Sequence, residues 1–274
     1  MSTTTTAPVA PPRTRVVSEP VTLSRAVRSE WIKFRTLRST VAVLAAAAIG
    51  MVLVGLIVAY NTRHISSNIQ ANDLAPAATL QGYYLGQLLI GALGVLFVSS
   101  EYSTGSIRSS LAAVPTRLPV LWAKLIVFVS VTLVTMEIAS LGAFLAGQAL
   151  ISHYRTGYSL SDPGALRVVL GTGLYLTLVG VLGGALGWII RSTPGALVGY
   201  VALILVVPVA LANFFGSAGK HLAQYLPTFA GSSFITTMSD LKPALSPGAG
   251  LITLLVWVLL GVAVSAVVLR RRDA

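Results

Sequence analysis

Residues 40–60 read TVAVLAAAAIGMVLVGLIVAY, with no charged side chain in the run. About 20 apolar residues in a helix, each rising 1.5 Å, cross the ~30 Å hydrocarbon core of a bilayer. The run is continuous rather than alternating, which predicts a helix and not a barrel strand. Five more runs repeat the pattern at 80–99, 120–150, 165–190, 195–214 and 250–269. The third is long enough to tilt or to overshoot the hydrocarbon. The expected fold is therefore all-α and integral to the membrane, with six transmembrane helices forming one domain over 40–269.

Composition agrees. Hydrophobic residues make up 55% of 274 and charged residues 10%, against about 25% charged in an ordinary soluble domain. Fourteen of the nineteen Lys and Arg fall before the first run, after the second, after the fourth or after the sixth. The positive-inside rule then places both termini in the cytoplasm, and an even number of spans requires the same. The net charge of +11 sits mostly beside span ends, so orientation and anionic lipid headgroups account for it and nucleic acid is not an expected partner. There is no cysteine, which excludes disulfides, iron–sulfur clusters and thiol chemistry.

Residues 1–20, rich in Thr, Pro and Ala, read as a disordered tail. The first apolar run begins too far along for a signal peptide, so it reads as an uncleaved anchor. Residues 270–274 form a basic C-terminal tail. Between the first tail and the first span, 21–38 reads as a basic amphipathic helix. Leu23, Val27, Trp31, Phe34 and Leu37 share one arc, and Arg25, Arg28, Lys33 and Arg35 are placed opposite. Such a helix lies in the cytoplasmic headgroup layer with Trp31 as an interfacial anchor. It is either a membrane-surface helix alone or one that also touches a cytoplasmic partner. Glu30 favours the second reading, because it falls near the apolar arc, where a carboxylate seeks a cation.

The gap 100–118 reads SEYSTGSIRSSLAAVPTRL. Charge and apolar residues alternate at Glu101, Tyr102, Ile107, Arg108 and Leu111. Gly105 permits a sharp turn, and Pro115 and Pro119 set up the next helix. A short helix is expected near 106–114, and a docking surface explains the apolar residues better than a solvated loop does.

Glu137 falls in mid-span, where a carboxylate costs about 2.5–3.5 kcal/mol on insertion scales. It reads as a substrate contact or, preferably, a buried structural link among Thr132, Thr135, Ser140 and Gln148. Glycine pairs at 82/86, 180/184, 183/187 and 195/199 have the spacing for close helix approach. The segment 216–247 reads as short helices dipping into the outer leaflet.

Catalytic readings find no support. The three histidines lie one in each outer loop, with no spacing that pairs them, so neither a catalytic nor a metal site is expected. The one glycine–lysine step lies in FFGSAGKH (214–221), with Phe214 where a phosphate loop needs Gly and His221 where it needs Ser or Thr.

Several phrases resemble a known family. SEWIKFRTLRST (29–40) and EYSTGSIRSSLAAVPTR (101–117) are similar to permease subunits of type-2 ABC exporters, in particular to an actinobacterial branch. The likeness continues in DPGALR (162–167), LGWIIRSTPGAL (186–197) and YLPTFAGSSFI (225–235). Ser106 stands where many relatives have Thr. The resemblance implies that 100–118 is a coupling helix seated on a separate ABC ATPase subunit, contacting it through Glu101, Tyr102, Gly105, Ile107, Arg108 and Leu111. It implies that 21–38 is the connecting helix beside it, with Glu30, Trp31, Lys33 and Arg35. Two permease subunits, as a homo- or heterodimer, would surround the route of an unknown substrate. ATP and magnesium would belong to the partner, and this chain would carry no cofactor. The location implied is the cytoplasmic membrane of a bacterium. The alternatives left by the residues are an ATP-independent transporter or channel, or a membrane anchor for an assembly.

Overall fold

The computed structural model describes residues 22–61, 76–103, 118–153, 157–236 and 245–271. Among them the regular elements are all helical. They are α1 (Leu23–Thr36), α2 (Arg38–Asn61), α3 (Tyr83–Ser103), α4 (Leu118–Ser152), α5 (Ala165–Ile190), α6 (Thr193–Val201), α7 (Val207–Phe214), α8 (Gly216–Ala223), α9 (Pro227–Ile235) and α10 (Pro247–Arg271). A 3-10 turn, Pro76–Leu80, leads into α3, and a π turn, Ala202–Val206, joins α6 to α7.

Six stretches are long and apolar enough to cross a membrane: Arg38–Asn61, Ala77–Tyr102, Leu118–Ser152, Ala165–Ile190, Thr193–Phe214 and Pro247–Arg271. The chain is a multi-pass membrane protein. Each stretch coincides with one expected run to within a few residues. The third does overshoot: 35 residues at 1.5 Å each make about 52 Å, well beyond the hydrocarbon.

The bundle is built around α5. In its most apolar window 78% of residues are buried, against 22% in α2 and 17% in α10. Helix α5 packs on α3, α4 and α10, while α2 closes over α3 and α4. The tightest approach is α3 on α5. A Cβ at Gly94 would collide with the Gly180 carbonyl oxygen, and one at Gly183 with that of Gly91. Two of the expected glycine pairs therefore work through α5, but their counterparts on α3, Gly91 and Gly94, are three apart and escape the four-residue spacing rule. The pair 195/199 meets only the adjoining Ile190 and Ser192, so it mediates no separate helix contact.

The fifth span is divided by the π turn. Pro208 has no N–H to offer the Ile204 carbonyl four residues back. The helix widens instead, with the Val207 N–H reaching back to Ala202 O. Thr228 on α9 then donates its hydroxyl to the Ile204 carbonyl. Helices α8 and α9 are the expected short elements after this span, and Gly216, at φ 58, turns the chain between α7 and α8.

One end of the bundle gathers the basic residues. Val98, Val120, Leu121, Trp188 and Leu269 form one apolar cluster there, joining the end of α3, the start of α4 and the ends of α5 and α10. Helix α1 lies at this same end against α4.

Candidate functional site

Helix α1 ends at Leu37, whose extended backbone (ψ 102) separates it from α2. Its buried residues are Glu30 and Phe34, with Val27 packed partly beneath them. The Phe34 ring meets Phe97 of α3 edge-on, centroids 5.2 Å apart. The expected apolar arc is thus divided. Its centre faces the bundle, while Leu23, Trp31 and Leu37 are 45%, 45% and 46% exposed, directed to the surface, with Trp31 placed as an interfacial anchor requires. Arg35 is exposed.

Lys33 corrects the wheel. It is expected on the polar side, yet it lies only about 60° from Glu30 at 100° per residue. In the structure it turns inward. Its Nζ donates to Glu30 Oε1 at 2.7 Å and to Glu101 Oε1 at 2.9 Å. From the other side Lys124, in the second turn of α4, donates to Glu30 Oε2 at 2.7 Å and to the same Glu101 oxygen at 2.9 Å. The Lys124 ammonium also sits 4.5 Å from the centre of the Phe97 ring, a stabilising cation–π placement. Two carboxylates thus face two ammonium groups, and the cluster is neutral as a whole.

Burial decides what this cluster is worth. The side chains of Lys124, Glu30 and Glu101 are 3%, 5% and 9% exposed, and that of Lys33 is 37%. Desolvation cancels much of the Coulomb gain in such a pair, so its presence says little about net stability. Removal of one partner, however, strands a buried charge at a cost of about 3–5 kcal/mol. The four groups therefore act as one unit. For Lys33, burial works against the charge, but the hydrogen bonds it donates to Glu101 and Glu30 and their Coulomb attraction outweigh it and hold the ammonium above its ordinary range.

The neighbouring residue on α3 ties off the other side. The Tyr102 ring meets Trp188 of α5 at 90°, centroids 6.0 Å apart. Arg191 lays its guanidinium 5.3 Å from the centre of the same ring and donates from Nη2 to the Val268 carbonyl of α10 at 3.4 Å. Arg191 caps α5 in the left-handed conformation, φ 58, a position that usually takes glycine. Close by, Thr193 and Ser99 hydroxyls are 2.8 Å apart.

Glu101 and Tyr102 therefore form a two-sided hub. Glu101 binds α1 and α4, and Tyr102 meets α5 and its cap Arg191, which in turn reaches α10. Glu101 and Tyr102 stand in the last turn of α3, at the start of the patterned segment 100–118, while Lys124 stands just after it. The remaining expected site residues, Gly105, Ile107, Arg108 and Leu111, lie outside the described residues, as do the expected helix near 106–114 and the tails 1–20 and 272–274.

Glu137 is not part of this site. It lies 13 residues along α4 from Lys124, about 20 Å at helical rise, and presses its carboxyl group against Gly173 of α5. A backbone hydrogen bond from Leu174 of α5 reaches the Glu137 carboxylate, while three of its polar neighbours in sequence bond elsewhere. Thr132 donates to Phe128 O, Ser140 donates to Val169 O, and Gln148 accepts from the Tyr158 N–H. Short hydroxyls in helices satisfy themselves on the preceding turn, and Ser140 and Gln148 face other parts of the fold. Glu137 Oε2 is buried with no hydrogen-bond partner among the described residues.

Sequence reasoning missed Lys124, Trp188 and Arg191 as site residues. Lys124 had a signal, since it is a lone cation inside an apolar helix start and Glu30 was seeking one. Arg191 was visible only as a basic residue at a hinge.

Comparison with protein-family models and with curated proteins finds no match to this chain.

Proposed function

We propose that this chain is the permease subunit of an ABC exporter of the type-2 class, working in a bacterial, actinobacterial-like cytoplasmic membrane. The observation that carries the reading is the Glu101 junction. Glu101 lies in the last turn of the helix that precedes 104–117, Lys124 lies in the second turn of the helix that follows it, and both are bonded to α1. The helices that flank this segment are thereby tied to each other and to α1. That is the mechanical requirement of a coupling element that answers to a separate ATPase.

The mechanism is a conformational one. Closure of the ATPase subunits on ATP moves the seated segment, and the spans shift between two packings. ATP and magnesium are bound by the partner. A second permease subunit completes the route. Purified alone, the chain is expected to hydrolyse no ATP, and in its host it is expected to copurify with a separate ATPase. Robust hydrolysis by the isolated chain contradicts the reading.

One observation favours the ATP-independent alternative: the unpartnered carboxylate oxygen of Glu137 in mid-span, a group that ion-coupled transporters use. Transport that persists without any ATPase and is lost in Glu137→Gln distinguishes that alternative.

A further inference from the structure

At the end of the bundle away from Glu101 lies a cavity of about 170 Å³ between the first turns of α3, the π turn and α9. Its residues carry no charge. Gln87, 2% exposed, projects a side-chain amide onto it. Tyr175 donates to Gln87 Oε1 at 2.5 Å and Tyr200 to the Gln87 carbonyl at 2.6 Å. With Oε1 taken, the donor that Gln87 offers the cavity is its Nε2 amide.

The hydroxyls around it are already oriented. Thr228 donates to Ile204 O, Ser232 to Phe229 O and Thr236 to Ser232 O. Each spends its proton on backbone and presents lone pairs. The cavity therefore offers an amide donor at one side and hydroxyl acceptors at the other. Its mouth lies beside Tyr84, Leu205 and Val209, which are 50%, 43% and 47% exposed. Tyr84 stacks on Tyr83, centroids 4.2 Å apart, which fixes one wall.

We infer that this cavity binds the head of a neutral glycerolipid from the outer leaflet, a diacylglycerol-like molecule. Its ester carbonyl accepts from Gln87 Nε2, its free hydroxyl donates to Ser232 or Thr236, and its acyl chains leave past Leu205 and Val209. A phosphate-bearing lipid is disfavoured, because a phosphate brought into the cavity meets no cation to offset its lost hydration. The inference does not rest on the exporter reading, since it uses neither Glu101 nor the segment after it.

The test uses the full chain in phosphatidylcholine nanodiscs containing a diazirine-bearing diacylglycerol. After irradiation the label is mapped by peptide mass spectrometry. It is expected to concentrate on peptides holding 83–87, 204–209 and 228–236. Gln87→Leu is expected to reduce labelling there about tenfold, the loss that follows an unpaired polar contact. Leu205→Trp blocks the mouth, leaves the Gln87–Tyr175 bond intact and is expected to do the same, so misfolding is not the cause. Labelling of the lipid faces of α2 and α10 serves as the control and stays constant. A diazirine phosphatidylglycerol probe labels these three peptides no more than the control faces. Labelling that survives either substitution, or equal labelling of the three peptides by the phosphatidylglycerol probe, overturns the inference.

Discussion

Lys124 Nζ stands 2.7 Å from Glu30 Oε2, and the two side chains are 3% and 5% exposed. Ninety-four residues of chain separate them, so this pair holds the amphipathic helix against the base of the third span. Lys124→Met strands Glu30 and Glu101 and is expected to destabilise the protein by about 3–5 kcal/mol. Adding Glu30→Met and Glu101→Gln to the same chain recovers most of that loss. Thermal unfolding in detergent measures both. Losses that simply add would show that the cluster is not one unit.

Lys33 sets a pH limit on the attachment of α1. Its folded value is raised above the ordinary 10.5. The stabilisation is therefore complete below pH 10.5 and fades as pH rises through the higher folded value. Proteolysis at Arg25 and Arg28 is expected to be flat through neutral pH and to accelerate only in strong alkali. Lys33→Met should remove that alkaline step. An unchanged step in the variant would assign it to other groups.

Glu137 and Gly173 share one space. A Cβ at residue 173 would sit 2.5 Å from Glu137 Cδ. Gly173→Ala is expected to destabilise by about 1–3 kcal/mol through overpacking. In a Glu137→Ala background the same change should be nearly neutral. Equal effects in both backgrounds, read from unfolding curves, would contradict the packing.

The π turn makes a paired prediction. Thr228→Val leaves the Ile204 carbonyl without its donor and should cost about 1 kcal/mol. Pro208→Ala restores an amide four residues on, so Thr228→Val should then cost less. Identical costs would mean that Thr228 does not compensate for the missing N–H.

The sequence made the membrane fold legible because hydrocarbon permits few solutions: long apolar runs such as 40–60 must be helices. It made Glu30 legible for a related reason, as a carboxylate on an apolar arc needs a cation. It did not disclose which cation. Lys33 was placed by a wheel that treats a long flexible side chain as a fixed vector, and the four-carbon stem let it reach inward. Lys124 is distant in sequence, and only packing of α1 on α4 brings it near. Glu137 shows the opposite failure. Of the polar residues near it in sequence, Thr132, Ser140 and Gln148 bond to backbone groups instead. The π turn had an unread signal in Pro208, a residue without an N–H in mid-span.

The most direct test of the coupling account is ATPase capture and turnover by the complex. The chain is expressed in its host with the ATPase that copurifies with it, and membrane insertion is the control. Arg108→Glu inverts a charge at the proposed contact, and Gly105→Val restricts its turn. The account predicts that the native chain retains the ATPase and stimulates its hydrolysis, while both variants insert normally and lose capture, stimulation or both. Native capture and native stimulation in both variants would contradict it.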